Sequence, residues 1–191
     1  MSQADQSDQP EETGPANATR ERLLDAAIHI AGTLGTDQVT YRSVAARIGV
    51  AHSLVRFHFG TREAMLTAAF ERAARHDAAA AHLRADDVSD LAGDLVALLA
   101  DDPARQLLQY DFLLRAARGH GSLPDVAALY DHYIAQVAAT LDSSGIDDPD
   151  GSLADLVFAA LDGLVLQHFV YGDSARTQVA LDRMRALLSG A

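Results

Sequence analysis

Residues 40–59 read TYRSVAARIGVAHSLVRFHF, and this stretch decides what fold to expect. Thr40 is a residue type that caps a helix by accepting a backbone N–H. Val39 before it and Val44 inside the helix stand at the positions of a hydrophobic staple, and Val44 with Ile48 gives a narrow buried stripe. Gly49 ends that helix, and a second short helix is expected over about Ala51 to Phe57. Val50, Val55 and Phe59 account for its inner side, leaving His52, Ser53, Leu54, Arg56 and His58 as a surface able to meet bases and phosphates. Two short helices around a glycine turn have the spacing in which one helix braces another that enters a DNA major groove. The same spacing arises by chance in helical proteins, so the polar outer surface matters as much as the spacing.

Upstream, a helix is expected to start at a Thr19 cap, to place Leu24, Ala27, Ile28, Ala31 and Leu34 on one face, and to end at Gly35. Downstream, Thr61 can cap a fourth helix running to about Ala85, with Glu63 at the positive end of its dipole. Arg42 falls in the first turn of the bracing helix, and Thr61 and Arg62 open the fourth helix, whose N-terminal amides could bind a phosphate. The expected DNA face is therefore Thr40, Arg42, His52, Ser53, Leu54, Arg56, Phe57, His58, Thr61 and Arg62.

These segments resemble the TetR (tetracycline-repressor) family of bacterial regulators. The resemblance is specific over about residues 19–70: RERLLDAAIHIAGTLG, TYRSVAARIGV, the closing FHFG and TREAML match in order and spacing. The family usually carries Ser where this chain has Ala51, a small residue or Thr at Leu54, and often Tyr at Arg56. The missing cap at Ala51 costs about 1 kcal/mol, while Leu54 and Arg56 suggest a different operator: Leu54 could touch a thymine methyl, and Arg56 a phosphate or a guanine edge. Beyond residue 71 the resemblance is architectural, including ALDGLVLQHFVYGD near the end. It implies dimerisation through the last two helices, about 152–188, a small-molecule cavity among the middle helices, and two recognition helices roughly 34 to 36 Å apart, or a little more, on a near-palindrome.

The rest of the chain is periodic at three and four residues with no stretch alternating long enough for a strand, so the fold class is all-α with about nine helices. Breaks at Asp86-Asp87, Asp101-Asp102-Pro103, Gly119 to Pro124 and Ser143 to Gly151 divide it. Three regions are expected: a disordered acidic tail over 1–18, a helix-turn-helix domain over 19–63, and a helical ligand-binding and dimerisation domain over 64–191. The segment Ser152 to Tyr171 is apolar on more than one side, which calls for a second protein surface. No run of about 18 uninterrupted apolar residues occurs, so no membrane span is expected.

A net charge of −12 argues at first against a polyanion partner. Its distribution does not: residues 1–18 hold four acids and no base, residues 19–63 six Arg against four acids, and residues 64–191 nine Arg against nineteen acids. All 15 basic residues are Arg, a bias that scattered surface positions share. The chain has no cysteine, which excludes disulfides, zinc–thiolate sites and cysteine nucleophiles. The acidic start is unlike a signal peptide, so a cytoplasmic protein is expected and the Asn17-Ala18-Thr19 sequon reads as accidental.

Tyr110, Asp111, Phe112, Tyr130, Tyr133, Asp162, Gln167 and His168 mix aromatic surface with polar groups and are the candidate ligand-binding residues. Each could equally pack or face solvent. Asp111 and Asp162 lie in apolar helical stretches and, if buried, need an Arg such as Arg115, a hydroxyl or a cationic ligand. No metal and no cofactor are expected: no two histidines sit three or four apart on a helix, and Asp147-Asp148-Pro149-Asp150-Gly151 lacks the downstream Glu of a calcium loop and reads as turn chemistry. Gly119-His120-Gly121-Ser122 follows no strand and reads as a loop between helices, not as part of a hydrolase site. The chain is thus read as a regulator rather than an enzyme: a repressor that a small molecule releases from operator DNA. The alternatives are a regulator of the same fold acting constitutively or gated by a protein, and a helical carrier or enzyme with a chance helix-turn-helix.

Overall fold

A computed structural model describes residues 15–80 and 82–190, with side-chain surroundings from residue 17 and none for 78–80. Among the described residues there are nine α-helices and no strand: α1 (Pro15–Leu34), α2 (Tyr41–Ile48), α3 (His52–Phe59), α4 (Arg62–Ala80), α5 (Leu95–Asp101), α6 (Pro103–Ala117), α7 (Leu123–Ser143), α8 (Ser152–Tyr171) and α9 (Ser174–Leu188). Three of the four expected breaks fall where these helices end; the fourth helix, expected to reach about Ala85, ends at Ala80, so Asp86-Asp87 lies within the longer connection between α4 and α5. Pro103 and Pro124 occupy first-turn positions of α6 and α7, where a missing N–H is harmless.

The Thr19 start is corrected. The first helix begins at Pro15, so residues 15–18 are helical. The rest of the expected tail, 1–14, lies outside the described residues. Leu34 is also corrected: it is 68% exposed, because it is the last residue of α1 and the chain turns away at Gly35 (φ 91°) into a single 3-10 turn, Thr36–Gln38.

Thr40 caps α2 by accepting the Ser43 N–H at 3.0 Å, and the Ser43 hydroxyl accepts the Thr40 N–H at 2.9 Å in return, a reciprocal box that pins the start of the bracing helix. Gly49 closes α2 in the left-handed conformation (φ 73°). Val39 and Val44 are both fully buried in one core with Leu23, Leu24, Ile28, Val55 and Met65. Leu108 of α6 belongs to the same core, so the N-terminal head is not self-contained. Gly32 makes this closeness possible: a Cβ there would lie 2.1 Å from the Ala104 carbonyl oxygen, so α1 and α6 meet backbone to backbone.

A second core joins α5, α7, α8 and α9 through residues such as Leu95, Val137, Leu141, Val157, Leu161 and Leu181. Phe70 and Phe112, stacked with ring centroids 4.1 Å apart, link α4 to α6 between the two cores. The acidic loop before α8 serves as a cap: both Asp148 carboxylate oxygens accept backbone N–H groups, from Leu153 at 3.0 Å and Ala154 at 2.9 Å.

Helix α8 has the length and mean apolarity of a membrane span, but Asp155, Asp162, Gln167 and His168 interrupt it, so no uninterrupted apolar run is present; 22% of that stretch is buried within the chain. Leu156, Leu166, Val170 and Tyr171 of this helix are exposed, as are Val179 and Leu187 of α9. Gly163, midway along this helix, has nothing within 4 Å of where a Cβ would stand.

Candidate nucleic-acid interface and ligand cavity

On α3 the buried side chains are Val55 and Phe59, with Val50 and Leu54 half-buried beside them. His52, Ser53, Arg56 and Phe57 project outward, and Phe57 is 80% exposed although aromatic. His58 is half-buried, its ring edge-on to Phe57 with centroids 5.4 Å apart. Arg42 and Thr40 are exposed at the start of α2, and exposed Thr61 caps α4 by accepting the Ala64 N–H at 3.0 Å. These exposed groups offer guanidinium, imidazole and hydroxyl donors with one apolar ring.

Arg62 departs from this set. Its Nε donates to the Val39 carbonyl at 2.8 Å and its guanidinium also donates to the Thr36 carbonyl at 2.6 Å. The side chain therefore braces the turn ahead of α2 instead of reaching outward. The sequence reading missed a second brace: the Tyr41 hydroxyl donates to the Gly60 carbonyl at 2.7 Å, tying the start of α2 to the end of α3. The fixed spacing between Tyr41 and Gly60 across the motif was the available signal.

The body holds a partly open cavity of about 60 Å³ lined mainly by residues of α4, α6, α7 and α8, among them Phe70, Gln106, Leu129, Phe158 and Val165, with Leu95 of α5. Tyr110, Tyr130, Tyr133 and Asp162 line it as expected. Asp162 is partnered by hydroxyls: Tyr110 donates to Oδ1 at 2.7 Å and Tyr130 to Oδ2 at 3.4 Å. Burial, followed by the charge of Asp162, raises both phenols, Tyr130 to about 12, so they remain neutral donors.

The other four candidates lie elsewhere. Phe112 stacks on Phe70 in the neighbouring core. Asp111 turns toward the head and accepts the Thr36 N–H at 3.0 Å. Gln167 is exposed on α8. His168 is buried against α9, with Nδ1 3.1 Å from the Thr177 hydroxyl. Residue type alone selected these four, and type does not separate a cavity wall from a helix contact, because polar residues in an apolar stretch can serve either.

The sequence reading also missed Asp77, Gln106 and Gln109. Asp77 is 2% exposed, and both carboxamides donate to its Oδ2, Gln106 at 2.8 Å and Gln109 at 2.5 Å. Among the described residues its Oδ1 has no hydrogen-bond partner; His76 Nδ1 stands 3.4 Å away without the geometry of one. Burial pushes the Asp77 carboxyl up to about 7 against the opposing pull of Arg105. The signal was the spacing Phe70, Ala73, Ala74, Asp77, which carries the buried face of α4 onto the acid.

Residues 83–190 match the model of the tetracyclin repressor-like C-terminal domain, and residues 23–69 match that of the bacterial regulatory proteins of the tetR family. The chain belongs to the TetR family of transcriptional regulators. Among solved structures it is similar to the multidrug binding protein EbrR complexed with imidazole, at 28% identity over 95% of this chain and 94% of that one with a TM-score of 0.64. EbrR has also been solved with ethidium. A transcriptional regulator from Rhodococcus sp. Rha1 is 25% identical over 89% of this chain and 95% of its own, with a TM-score of 0.69. A TetR-family member from Streptomyces coelicolor A3 is 27% identical over 88% and 96%, with a TM-score of 0.67. Among curated proteins none matches.

Proposed function

We infer that this protein is a cytoplasmic, homodimeric repressor that binds near-palindromic operator DNA through α2, α3 and the start of α4, and leaves it when a small molecule enters the cavity. The observation that carries this reading is the position of α6. The helix presents Gln106, Gln109 and Tyr110 to the cavity, while the neighbouring Asp111 holds Thr36 of the head and Leu108 sits in the head's own core.

A cavity of about 60 Å³ is small beside the roughly 150 Å³ that accepts benzene. A drug-sized ligand therefore has to spread the walls, and moving α6 moves the head. Such a ligand favours the state in which the two heads are wrongly spaced for DNA. The ethidium complex of EbrR, a similar family member, supports small-molecule entry in this fold.

The uncovered apolar sides of α8 and α9 support a dimer. An exposed strip of Leu156, Leu166, Val170, Val179 and Leu187 costs solubility in a monomer. Gly163 costs helix stability by about 1 kcal/mol relative to Ala, and no contact among the described residues accounts for it. Both fit the close approach of a second copy about a two-fold axis, which sets paired recognition helices on a near-palindrome. DNA contacts from Thr40, Arg42, His52, Ser53, Leu54, Arg56, Phe57, His58 and Thr61 are part of the same reading.

Selection of bound duplexes from a random pool tests this function. The expected result is a near-palindrome whose half-sites are about one helical turn apart or slightly more; enrichment of no motif would count against it.

A further inference from the structure

We propose that the cavity accepts an organic monocation with an apolar or aromatic body, and that Asp77 is its counter-charge. This rests on the reading of the cavity as the ligand site. Asp77 and Asp162 are the only charged groups among the described residues that line it, and both are acids. The nearest cation named in the electrostatics of Asp77 is Arg105, which pairs with Asp102 at 3.1 Å at the start of α6 and does not line the cavity.

The two acids are not equivalent. Both oxygens of Asp162 already accept a phenol hydrogen. On Asp77 two carboxamides converge on Oδ2, which suits an acceptor, and Oδ1 is buried without a hydrogen bond. An ionised carboxylate in that setting is expensive unless a positive charge accompanies it. The aromatic faces suit the rest of such a ligand. Phe158 packs edge-on to Tyr130 at 5.2 Å and beside Tyr133 at 5.5 Å, giving π surfaces close to the acid. An anionic ligand meets two acids and no lining cation, and a neutral one brings no counter-charge to an ionised Asp77.

The cation also links binding to a proton. The groups facing Asp77 are His76 on its own helix, Asp102 just before α6, Arg105, Gln106 and Gln109 from α6, and Tyr133 from α7. Burial and the charge of Arg105 lower His76, and burial raises Tyr133, so both remain neutral near pH 7. Asp77 itself, raised to about 7, is the group that gives up a proton when a cation enters.

The test is calorimetric titration of wild type, Asp77→Asn and Asp162→Asn with phenyltrimethylammonium and with tert-butylbenzene, its neutral isostere. Runs at pH 7 in two buffers of different ionisation enthalpy count the protons released. We expect the cation to bind wild type about tenfold or more tightly than the isostere, with release of a fraction of a proton. In Asp77→Asn the preference and the proton release disappear, while the isostere binds at least as well as before. Should the isostere match the cation in wild type, or Asp77→Asn keep its cation affinity, the charge assignment falls while the cavity reading stands. Loss in Asp162→Asn alone overturns the choice of Asp77. If neither compound binds or raises Tm, the cavity reading falls as well. Should Asp77→Asn fail to melt cooperatively, the isostere comparison and the proton count on wild type remain decisive.

Discussion

The Asp111 carboxylate accepts the backbone N–H of Thr36 at 3.0 Å, one residue along α6 from Tyr110, whose hydroxyl donates to Asp162 across the cavity. Adjacent residues of one helix thus hold the DNA-reading head and the cavity wall. Arg115, one turn further on, adds a 3.3 Å pair to Asp37 of the same turn. Asp111→Ala leaves the cavity lining intact but frees the turn before α2. A hydrogen bond to a charged group contributes about 1.5 to 3 kcal/mol. We expect operator affinity to fall about tenfold or more while affinity for a cavity ligand changes little, measured by DNA anisotropy and calorimetry on the same preparation.

Gly32 has no room for a side chain, since a Cβ would stand 2.1 Å from the Ala104 carbonyl oxygen. On helix propensity alone Gly32→Ala should gain about 1 kcal/mol. The contact reverses the sign, because α1 and α6 must move apart and core burial shared by head and body is lost. We expect a destabilisation of about 1 to 3 kcal/mol, seen as a lower urea midpoint. A stabilised variant would show that the two helices are not packed this closely.

Leu166→Glu places a charge on the uncovered face of α8, and Gly163→Leu adds bulk where a second copy should approach. Neither position meets the protomer's own core tightly, so a monomer should tolerate both. Sedimentation equilibrium is expected to give about twice the 20.3 kDa chain mass for wild type and the chain mass for each variant, with operator binding reduced in parallel.

The Asp77 carboxyl is raised from 3.8 in the open chain to about 7 in the fold. The folded form therefore binds the proton more tightly, and the resulting stability is complete below about pH 4 and lost as pH rises through about 7. Between these limits ligand-free wild type should lose stability with rising pH by a few kcal/mol at most. Asp77→Asn should flatten that part of the profile, measured by denaturant titration from pH 4.5 to 8. An unchanged slope would place the titration elsewhere.

The helix-turn-helix was legible because short-range rules determine it: the Thr40 cap, the Val39 and Val44 staple and Gly49 all act within a few residues. The apolar excess of α8 was legible too, and Leu156, Leu166 and Val170 stand exposed on it. Side-chain partners across the fold were less legible. Tyr110 and Asp162 were placed in the cavity from their types, but Asp111 could not be separated from them, since its partner is a backbone N–H 75 residues away. Arg62 was placed on the DNA face because it opens α4, whose N-terminal amides could bind a phosphate. Its carbonyl partners at Thr36 and Val39 exist only once α4 packs beside the turn. Asp77 went unnoticed because an acid in an Ala-rich helix usually faces water, and only the opposing Gln106 and Gln109 make its buried position tolerable.

The central claim is that this head reads DNA with the outer surface of α2 and α3. Its most direct test is fluorescence anisotropy of the selected duplex with wild type, Arg42→Ala and Arg56→Ala over a range of salt. The account predicts nanomolar binding by wild type, a steep loss with salt because the body is acidic, and weakening by either substitution with Tm unchanged. Binding no tighter than to bulk DNA, or indifferent to both arginines and to salt, would contradict it.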